Sequence, residues 1–187
     1  MPQQELLSQV VRALEEARCP YMLIGSYASS LQGEPRLSHD IDLLVDMDLQ
    51  MLPALAAKFP PPAFSLNEQV AQAAVRTKTM FSLLHVPEGA EVDFWMLTGD
   101  PFDLSRFTRR RIEHAVGLRF YVSTPEDTIL AKLRWAKLVG GSEKQFHDAL
   151  CVYEVQHPSL DVGYLKHWVH RLGLSEYWTR LLREAES

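Results

Sequence analysis

Apolar and polar residues recur along this chain with two periods, one typical of helices and the other of strands. In residues 2–18 the apolar side chains return every three or four positions among Gln, Glu and Arg, which predicts an amphipathic helix stopped by Pro20. The short apolar run of residues 21–24 predicts a buried strand, and residues 40–45 predict a second one. The chain therefore opens as a helix, a strand and, after an interruption, another strand.

The interruption between these two strands begins with a Gly-Ser turn. Gly25 ends the first strand, and Ser26 is a residue type that caps helices, so a short helix is expected to follow. Gly33 and Pro35 break this helix before the second strand. Because the start of a helix presents unpaired backbone N–H groups, the Gly-Ser turn suits a polyphosphate.

Beyond residue 45 the pattern predicts further elements, in chain order: a helix at 51–59, a loop at the prolines 60–62, a helix at 65–75, strands at 80–86 and 91–97, a short strand at 120–122, and helices at 125–139, 143–155, 160–170 and 175–185. The strands at 80–86 and 91–97 are joined by a turn and should form a hairpin. In the helix at 65–75, Val70, Ala73 and Ala74 are expected to face inward.

These elements define the expected fold class, α/β (α+β). Residues 1–122 are expected to form a mixed sheet with flanking helices. Residues 123–187 are expected to form a helical C-terminal part that packs against it.

Two carboxylates lie on the second predicted strand. The side chains of a strand alternate between its faces, so Asp40 and Asp42 point to the same side. Neighbouring carboxylates repel each other, and a divalent cation relieves this repulsion. Mg²⁺ takes oxygen ligands, typically one or two carboxylates together with substrate phosphates. The pair therefore predicts a metal site.

A third carboxylate, Asp93, lies within the second arm of the hairpin, between Val92 and Phe94. A charge inside an apolar strand needs a physical reason. One reason is a role as a further metal ligand; the alternative is a surface position on an edge strand. Glu91 shares the parity of Asp93 but adjoins the turn, so Asp93 is the predicted ligand.

Gly25-Ser26, the Asp40-x-Asp42 pair and the later Asp93 together resemble the signature of the DNA polymerase β-like nucleotidyltransferase superfamily. The segment Gly33-Glu-Pro-Arg-Leu-Ser-His-Asp-Ile-Asp42 is most similar to small bacterial nucleotidyltransferase-like proteins of the abortive-infection and toxin–antitoxin type. The resemblance implies a nucleotidyltransferase-type core in residues 1–122. It also implies that catalytic Asp40, Asp42 and Asp93 hold Mg²⁺, or alternatively Mn²⁺. The nucleotide contacts it implies are Gly25, Ser26, Arg36 and Ser38.

Two motifs in the helical part resemble those that complete the active site in the toxin-like members. They are Glu126-Asp-Thr-Ile-Leu-Ala-Lys132 and Phe146-His-Asp148. The resemblance implies a catalytic Lys132 that contacts the triphosphate and an Asp148 that orients the lysine or acts as a base. The alternatives are a surface lysine and an aspartate on an exposed helix face.

Charge and cysteine content narrow the class of protein. The formal net charge is −5, but residues 1–100 carry 6 Lys and Arg against 13 Asp and Glu, whereas residues 101–187 carry 13 against 11. This balance argues against a general nucleic-acid coat protein. Cys19 and Cys151 have no metal-binding sequence spacing and fit buried positions in a reducing cytoplasm. No apolar run is long enough for a membrane span, and no secretory signal is visible.

A basic cluster, Arg106 to Arg111, precedes the helical part. It is either a solvated surface or a contact for the phosphates of a nucleotide or an RNA.

The predicted function is metal-dependent transfer of a nucleoside monophosphate from a nucleoside triphosphate to an acceptor hydroxyl. The acceptor is a tRNA end, a protein or a small molecule, and a cognate toxin or antitoxin is a further predicted partner. The alternative is a non-catalytic nucleotide-binding or toxin–antitoxin interaction module that keeps the fold. A weaker alternative is a phosphohydrolase that uses the same carboxylates.

Overall fold

The computed structural model describes residues 3–35, 40–115 and 117–185. They form two compact units that interleave along the sequence. One unit takes its described residues from Met1–Ile24 and Ser38–Val122, and the other takes them from Gly25–Leu37 and Ser123–Ser187. The predicted domain division at residues 122 and 123 stays a prediction.

A seven-stranded mixed sheet, counted over the described residues, organises the first unit. Its strands, in chain order, are β1 (Tyr21–Ile24), β2 (Asp40–Val45), β3 (Phe64–Leu66), β4 (Met80–His85), β5 (Ala90–Met96), β6 (Arg111–Ala115) and β7 (Leu118–Val122). They lie side by side in the order β3-β4-β5-β2-β1-β7-β6. β2 pairs parallel with β5, and β1 pairs antiparallel with β2. The predicted α/β fold class, with its mixed sheet and helices, is confirmed.

The helices of this unit are α1 (Gln3–Glu16), α3 (Leu52–Ala56), α4 (Glu68–Thr77) and α5 (Pro101–Arg109). In α1, apolar residues at helical spacing are buried, as predicted: Leu6, Leu7, Val10, Val11 and Leu14. Phe107 of α5 packs with Met22 of β1 and Leu44 of β2 in one apolar cluster, which Trp95 of β5 extends. This cluster lies on the same sheet face as Asp42, because alternate residues of a strand share a face.

The second unit is helical: α2 (Gly25–Gln32), α6 (Pro125–Leu138), α7 (Glu143–Gln156), α8 (Val162–Arg171) and α9 (Ser175–Ala185). Thr124 caps α6 by accepting from the Asp127 N–H, and Ser142 caps α7 by accepting from the Gln145 N–H. Between α6 and α7 the chain reverses at Gly140 and Gly141, whose φ angles of 78° and 96° favour glycine.

Several expected elements differ from the structure. Residues 64–66 form β3, whereas a helix was expected from residue 65; α4 begins only at Glu68, after the cap Asn67. Val70 and Ala73 are exposed, and the buried residues of α4 are Ala71, Ala74 and Val75, so the expected inward face was wrong at Val70 and Ala73. Residues 111–115 form β6, which the sequence pattern did not indicate. No helix within the described residues is long and apolar enough to cross a membrane.

Candidate active site

The predicted carboxylates lie on the two central parallel strands of the sheet. Asp42 of β2 is in register with Asp93 of β5, and Asp40 is in register with Glu91. Side chains in register on parallel strands share a face, and adjacent strands lie about 4.8 Å apart. Asp42 and Asp93 are therefore direct neighbours, and Asp40 is one side-chain position further along the same face.

Neighbouring side chains hold two of these carboxylates in place. The Trp95 indole N–H donates to Asp42 Oδ1 at 3.3 Å, and the Ser82 hydroxyl donates to Asp93 Oδ1 at 2.6 Å. β5 lies between β4 and β2, so the alternative that Asp93 is a surface residue on an edge strand is wrong. Both Asp42 and Asp93 are half-buried, and Asp40 is exposed.

These residues fit a hard divalent cation. Two half-buried carboxylates side by side on one face repel each other, and like charges opposite one another on neighbouring strands destabilise a sheet. Their donor atoms are all oxygens, which Mg²⁺ and Mn²⁺ prefer. The exposure of Asp40 leaves this edge of the pair open to solvent, as a metal that also binds substrate requires.

The Gly-Ser turn opens α2. Ile24, the last residue of β1, pairs with Asp42, and the chain leaves the sheet at the next residue, Gly25. Gly25 has a φ of 68°, in the left-handed region that side chains disfavour. A helix begins there without delay, and the Ser26 carbonyl accepts a bond from Ser29 Oγ at 3.1 Å. A short helix follows the strand as expected, but it begins at Gly25, so Ser26 lies in its first turn and not at the predicted cap position. The nucleotide contacts of this turn stay a prediction.

Lys132 and Asp148 meet within the helical unit. They lie at equal sequence distances before and after Gly140, so the reversal of the chain places them opposite each other on α6 and α7. Lys132 Nζ donates to Asp148 Oδ2 at 2.7 Å and to Ser26 Oγ at 3.4 Å. Their side chains are only 6% and 5% exposed. The alternative of a surface lysine and a surface aspartate is therefore wrong, and the structure links both to the Gly-Ser turn.

The N-terminus of α6, which precedes Lys132 in the motif, is fixed by a buried carboxylate. Asp127 is fully buried, and it accepts hydrogen bonds from the Thr124 hydroxyl at 2.8 Å and the Tyr164 hydroxyl at 2.6 Å. Glu126 Oε1 accepts from the Asp161 N–H at 2.9 Å. These two acidic residues join the start of α6 to the start of α8, so their role in the motif is to hold the helix that carries Lys132.

Arg36 and Ser38, the remaining predicted nucleotide contacts, lie outside the described residues. The basic cluster Arg106–Arg111 spans the end of α5 and the start of β6. Arg106 is bound by Asp103 at 2.8 Å, and the Arg110 guanidinium lies 4.2 Å from the centre of the Phe107 ring. Two of its arginines are thus held by contacts within the unit.

One group of polar residues was not predicted from the sequence: Glu34, His147 and Cys151. Their ligand atoms all lie within 4.8 Å of one another. The signal was present, because a His and a Cys four residues apart share one face of a helix. Glu34 is distant in sequence, and only the packing of residue 33 against α7 brings it to them.

The fold of this chain is similar to that of nucleotidyltransferase-like proteins. Solved structures of nucleotidyltransferase-like proteins match nearly the whole chain, which confirms the predicted fold. One is an antigenic nucleotidyltransferase-like protein from Paracoccidioides brasiliensis, with a TM-score of 0.60 and 17% identity over 93% of this chain and 90% of that one.

Two further structures belong to proteins connected with antibiotics. ANT(2″)-Ia, in complex with adenylyl-2″-tobramycin, matches with a TM-score of 0.58 and 13% identity over 96% of this chain and 99% of that one. The lincosamide antibiotic adenylyltransferase LnuA, bound to lincomycin, matches with a TM-score of 0.51 and 15% identity over 83% and 98%. No protein-family model and no curated protein sequence matches the chain.

Proposed function

We propose that this protein transfers a nucleoside monophosphate from a nucleoside triphosphate to an acceptor hydroxyl. The observation that carries the proposal is the register of β2 and β5, which sets Asp42 beside Asp93 with Asp40 on the same face. The likeness in fold to nucleotidyltransferases supports it. A nucleoside triphosphate donor also agrees with the predicted cytoplasmic location.

Asp40, Asp42 and Asp93 would hold one or two Mg²⁺ ions, with Mn²⁺ as a substitute. Such ions lower the pKa of an acceptor hydroxyl and neutralise charge on the leaving pyrophosphate. The hydrogen bonds from Ser82 and Trp95 orient two of the carboxylates before any ion binds. Asp93 is the residue proposed to accept the proton of the acceptor hydroxyl.

Ser26 and Lys132 are proposed to bind the phosphates. The Ser26 hydroxyl and the backbone N–H groups at the start of α2 are donors of the kind that bind anions at helix starts. The Lys132 ammonium group is buried, and a positive charge there is screened less by water than one at the surface. Asp148 is a positioning residue for this lysine, since the two make a 2.7 Å ion pair. Arg36 and Ser38 remain proposed contacts.

For the acceptor, we favour a small-molecule hydroxyl. The supporting observation is that two of the similar structures contain antibiotics or their adenylylated form, adenylyl-2″-tobramycin and lincomycin. The alternatives are a tRNA end, a protein side chain and a toxin–antitoxin partner, and the experiment below tests them in parallel reactions.

The test is transfer of label from each α-³²P nucleoside triphosphate in the presence of Mg²⁺. Parallel reactions contain tobramycin, lincomycin, total RNA, cell protein or no acceptor. The Asp42→Asn variant keeps an oxygen acceptor for Trp95 but removes the charge, so transfer should fall at least about 100-fold. Asp46→Asn is the matched control, because Asp46 follows the same strand at an exposed position, and it should keep full activity.

Three outcomes would contradict the proposal. Equal transfer by the wild type and Asp42→Asn would show that the carboxylates are not the metal site. Release of inorganic phosphate without any labelled acceptor would indicate a phosphohydrolase. Binding of neither nucleotide nor Mg²⁺ by calorimetry would indicate an interaction module that keeps only the fold.

A further inference from the structure

Glu34, His147 and Cys151 form a compact group of mixed ligands within the helical unit. Cys151 Sγ lies 3.5 Å from His147 Nε2, and the carboxylate of Glu34 is within 4.8 Å of both. The thiol is buried, and the other two side chains are exposed. The group is thus closed on the protein side and open to solvent on the other.

A close backbone contact holds Glu34 beside α7. A Cβ placed on Gly33 would lie 2.9 Å from the Val152 nitrogen and 3.0 Å from the Cys151 carbonyl carbon. Only glycine permits this contact, which carries the next residue, Glu34, to the His147–Cys151 face. The Gln156 side-chain amide also donates to the Gln32 carbonyl at 2.8 Å and holds the end of α2 against α7.

The distances fit a tetrahedral transition-metal centre. With Zn–S of about 2.3 Å, Zn–N of about 2.0–2.1 Å and a tetrahedral angle, the sulfur and nitrogen ligands of one zinc ion are separated by about 3.5–3.6 Å. The Cys151–His147 separation of 3.5 Å is therefore the one a zinc ion requires. The carboxylate of the exposed Glu34 side chain lies within 4.8 Å of both atoms and would supply the third bond on moving closer.

The chemistry of the ligands selects against Mg²⁺. A thiolate and an imidazole are ligands for zinc and related cations of borderline softness, whereas Mg²⁺ prefers oxygen alone. Burial raises the pKa of the Cys151 thiol, and the negative charges of Glu34, Glu154 and Asp148 raise it further. The same charges attract a divalent cation.

We propose that Glu34, His147 and Cys151 bind one Zn²⁺ ion, with water as the fourth ligand. On binding, the S–H bond of Cys151 breaks, its proton leaves to solvent and its electron pair forms the Zn–S bond. The ion would join the end of α2 to α7. This site is independent of the proposed transferase reaction.

The test uses the full-length protein and two metals. Zn²⁺ affinity is measured by competition with a fluorescent chelator in a large molar excess of Mg²⁺, which occupies oxygen-only sites. Co²⁺ then replaces Zn²⁺, because a thiolate bound to Co²⁺ gives a charge-transfer band in the near ultraviolet. We expect one Zn²⁺ per chain and one such band, together with a rise in the thermal unfolding temperature on addition of Zn²⁺.

Matched variants assign the ligands. Cys151→Ser should abolish the Co²⁺ band, whereas Cys19→Ser, at the other buried cysteine, should keep it. Glu34→Gln and His147→Gln change exposed residues, so they should fold normally and weaken Zn²⁺ binding at least about tenfold. His167→Gln is the control for the loss of an exposed histidine.

Absence of the band in the wild type would overturn the proposal and leave Cys151 and His147 as a hydrogen-bonded pair. Zn²⁺ affinity unchanged in both Glu34→Gln and His147→Gln would overturn it as well. Because the readout is metal binding, neither result depends on whether the chain transfers nucleotides.

Discussion

The buried ion pair between Lys132 and Asp148 permits a test that separates stability from function. We consider the single changes Lys132→Met and Asp148→Leu and the double variant that combines them. Each single change leaves one charge buried without its partner, since the side chains are only 6% and 5% exposed. The double variant replaces both charges by apolar groups of similar volume. Each of the three variants lacks the Lys132 ammonium, which is the proposed phosphate contact, or Asp148, which positions it, or both.

Breaking a buried pair by removing one partner costs about 3–5 kcal/mol, whereas replacing both partners by apolar residues is often neutral or stabilising. A typical domain has only about 5–15 kcal/mol of unfolding free energy, so each single change removes a large share of it. With a urea m value of about 2 kcal/mol per molar, the unfolding midpoint should fall by about 1.5–2.5 M. The double variant should be at least about 3 kcal/mol more stable than either single one.

The assay is urea unfolding followed by far-ultraviolet circular dichroism, which reports the helical content of the chain. Lys58→Met is the matched control: Lys58 pairs with Glu16 at an exposed position, so its loss should change the unfolding free energy by less than about 1 kcal/mol. A loss below about 1 kcal/mol in both single variants of the buried pair would refute the reasoning. So would a double variant as unstable as the single ones.

The double variant also tests the proposed phosphate contact. If Lys132 binds the triphosphate, the double variant should fold but lose nucleotide affinity, measured by calorimetry in Mg²⁺. A stable double variant that keeps the wild-type affinity would show that the pair serves the fold alone.

Three further outcomes are expected. Gly33→Ala should destabilise the protein by about 1–3 kcal/mol in urea, because its Cβ meets backbone atoms 2.9 Å away, whereas the control Gly99→Ala meets nothing within 4 Å. Equal midpoints would contradict this. Burial, with smaller effects of nearby carboxylates, raises the pKa of Cys19 from 9.0 to about 12. Between these values the unfolded thiol loses its proton first, so stability should fall as the pH rises from 9 to 12, and Cys19→Ala should flatten this slope. Ser82→Ala removes the 2.6 Å bond to Asp93 and should weaken Mg²⁺ binding about 10-fold or more at unchanged fold; unchanged affinity would assign no orienting role to Ser82.

Periodicity predicted the central strands well because their residues are buried on both faces or alternate cleanly. β2 and the β4–β5 hairpin lie in the interior of the sheet, where apolar patterning is strongest. β6 was missed for the opposite reason. In the sheet formed by the described residues it is the last strand at one edge and pairs with β7. Its side chains are exposed or half-buried, so no alternation of buried and exposed positions marks it. β3, at the other edge, has only three residues, too few for any period.

The inward face of α4 shows a second limit of patterning. Ala71, Ala74 and Val75 have the same helical spacing as the expected Val70, Ala73 and Ala74. Alanine contributes little to either pattern, so hydrophobicity alone did not separate two faces about 100° apart. The contacts of the sheet decide between them.

One part of the candidate site could likewise be predicted from the sequence, and another part could not. The parity of Asp40 and Asp42 follows from strand geometry, but the pairing of Asp42 with Asp93 depends on a register between strands distant in sequence. The group of Glu34, His147 and Cys151 depends on one close backbone approach at Gly33. Contacts of that kind leave no periodic trace in a sequence.

Helix α7 carries residues of both proposals, and its geometry keeps them separable. Consecutive residues of an α-helix are rotated by about 100°, so the neighbours His147 and Asp148 point in different directions. His147 is exposed and contacts Cys151, whereas Asp148 is buried against Lys132. His147→Gln can therefore remove a zinc ligand while the ion pair stays intact, and the double change at the ion pair can leave the zinc ligands in place. If Zn²⁺ binding and nucleotide binding were lost together in both experiments, the helix itself would be the common cause; separate losses would assign each proposal to its own face.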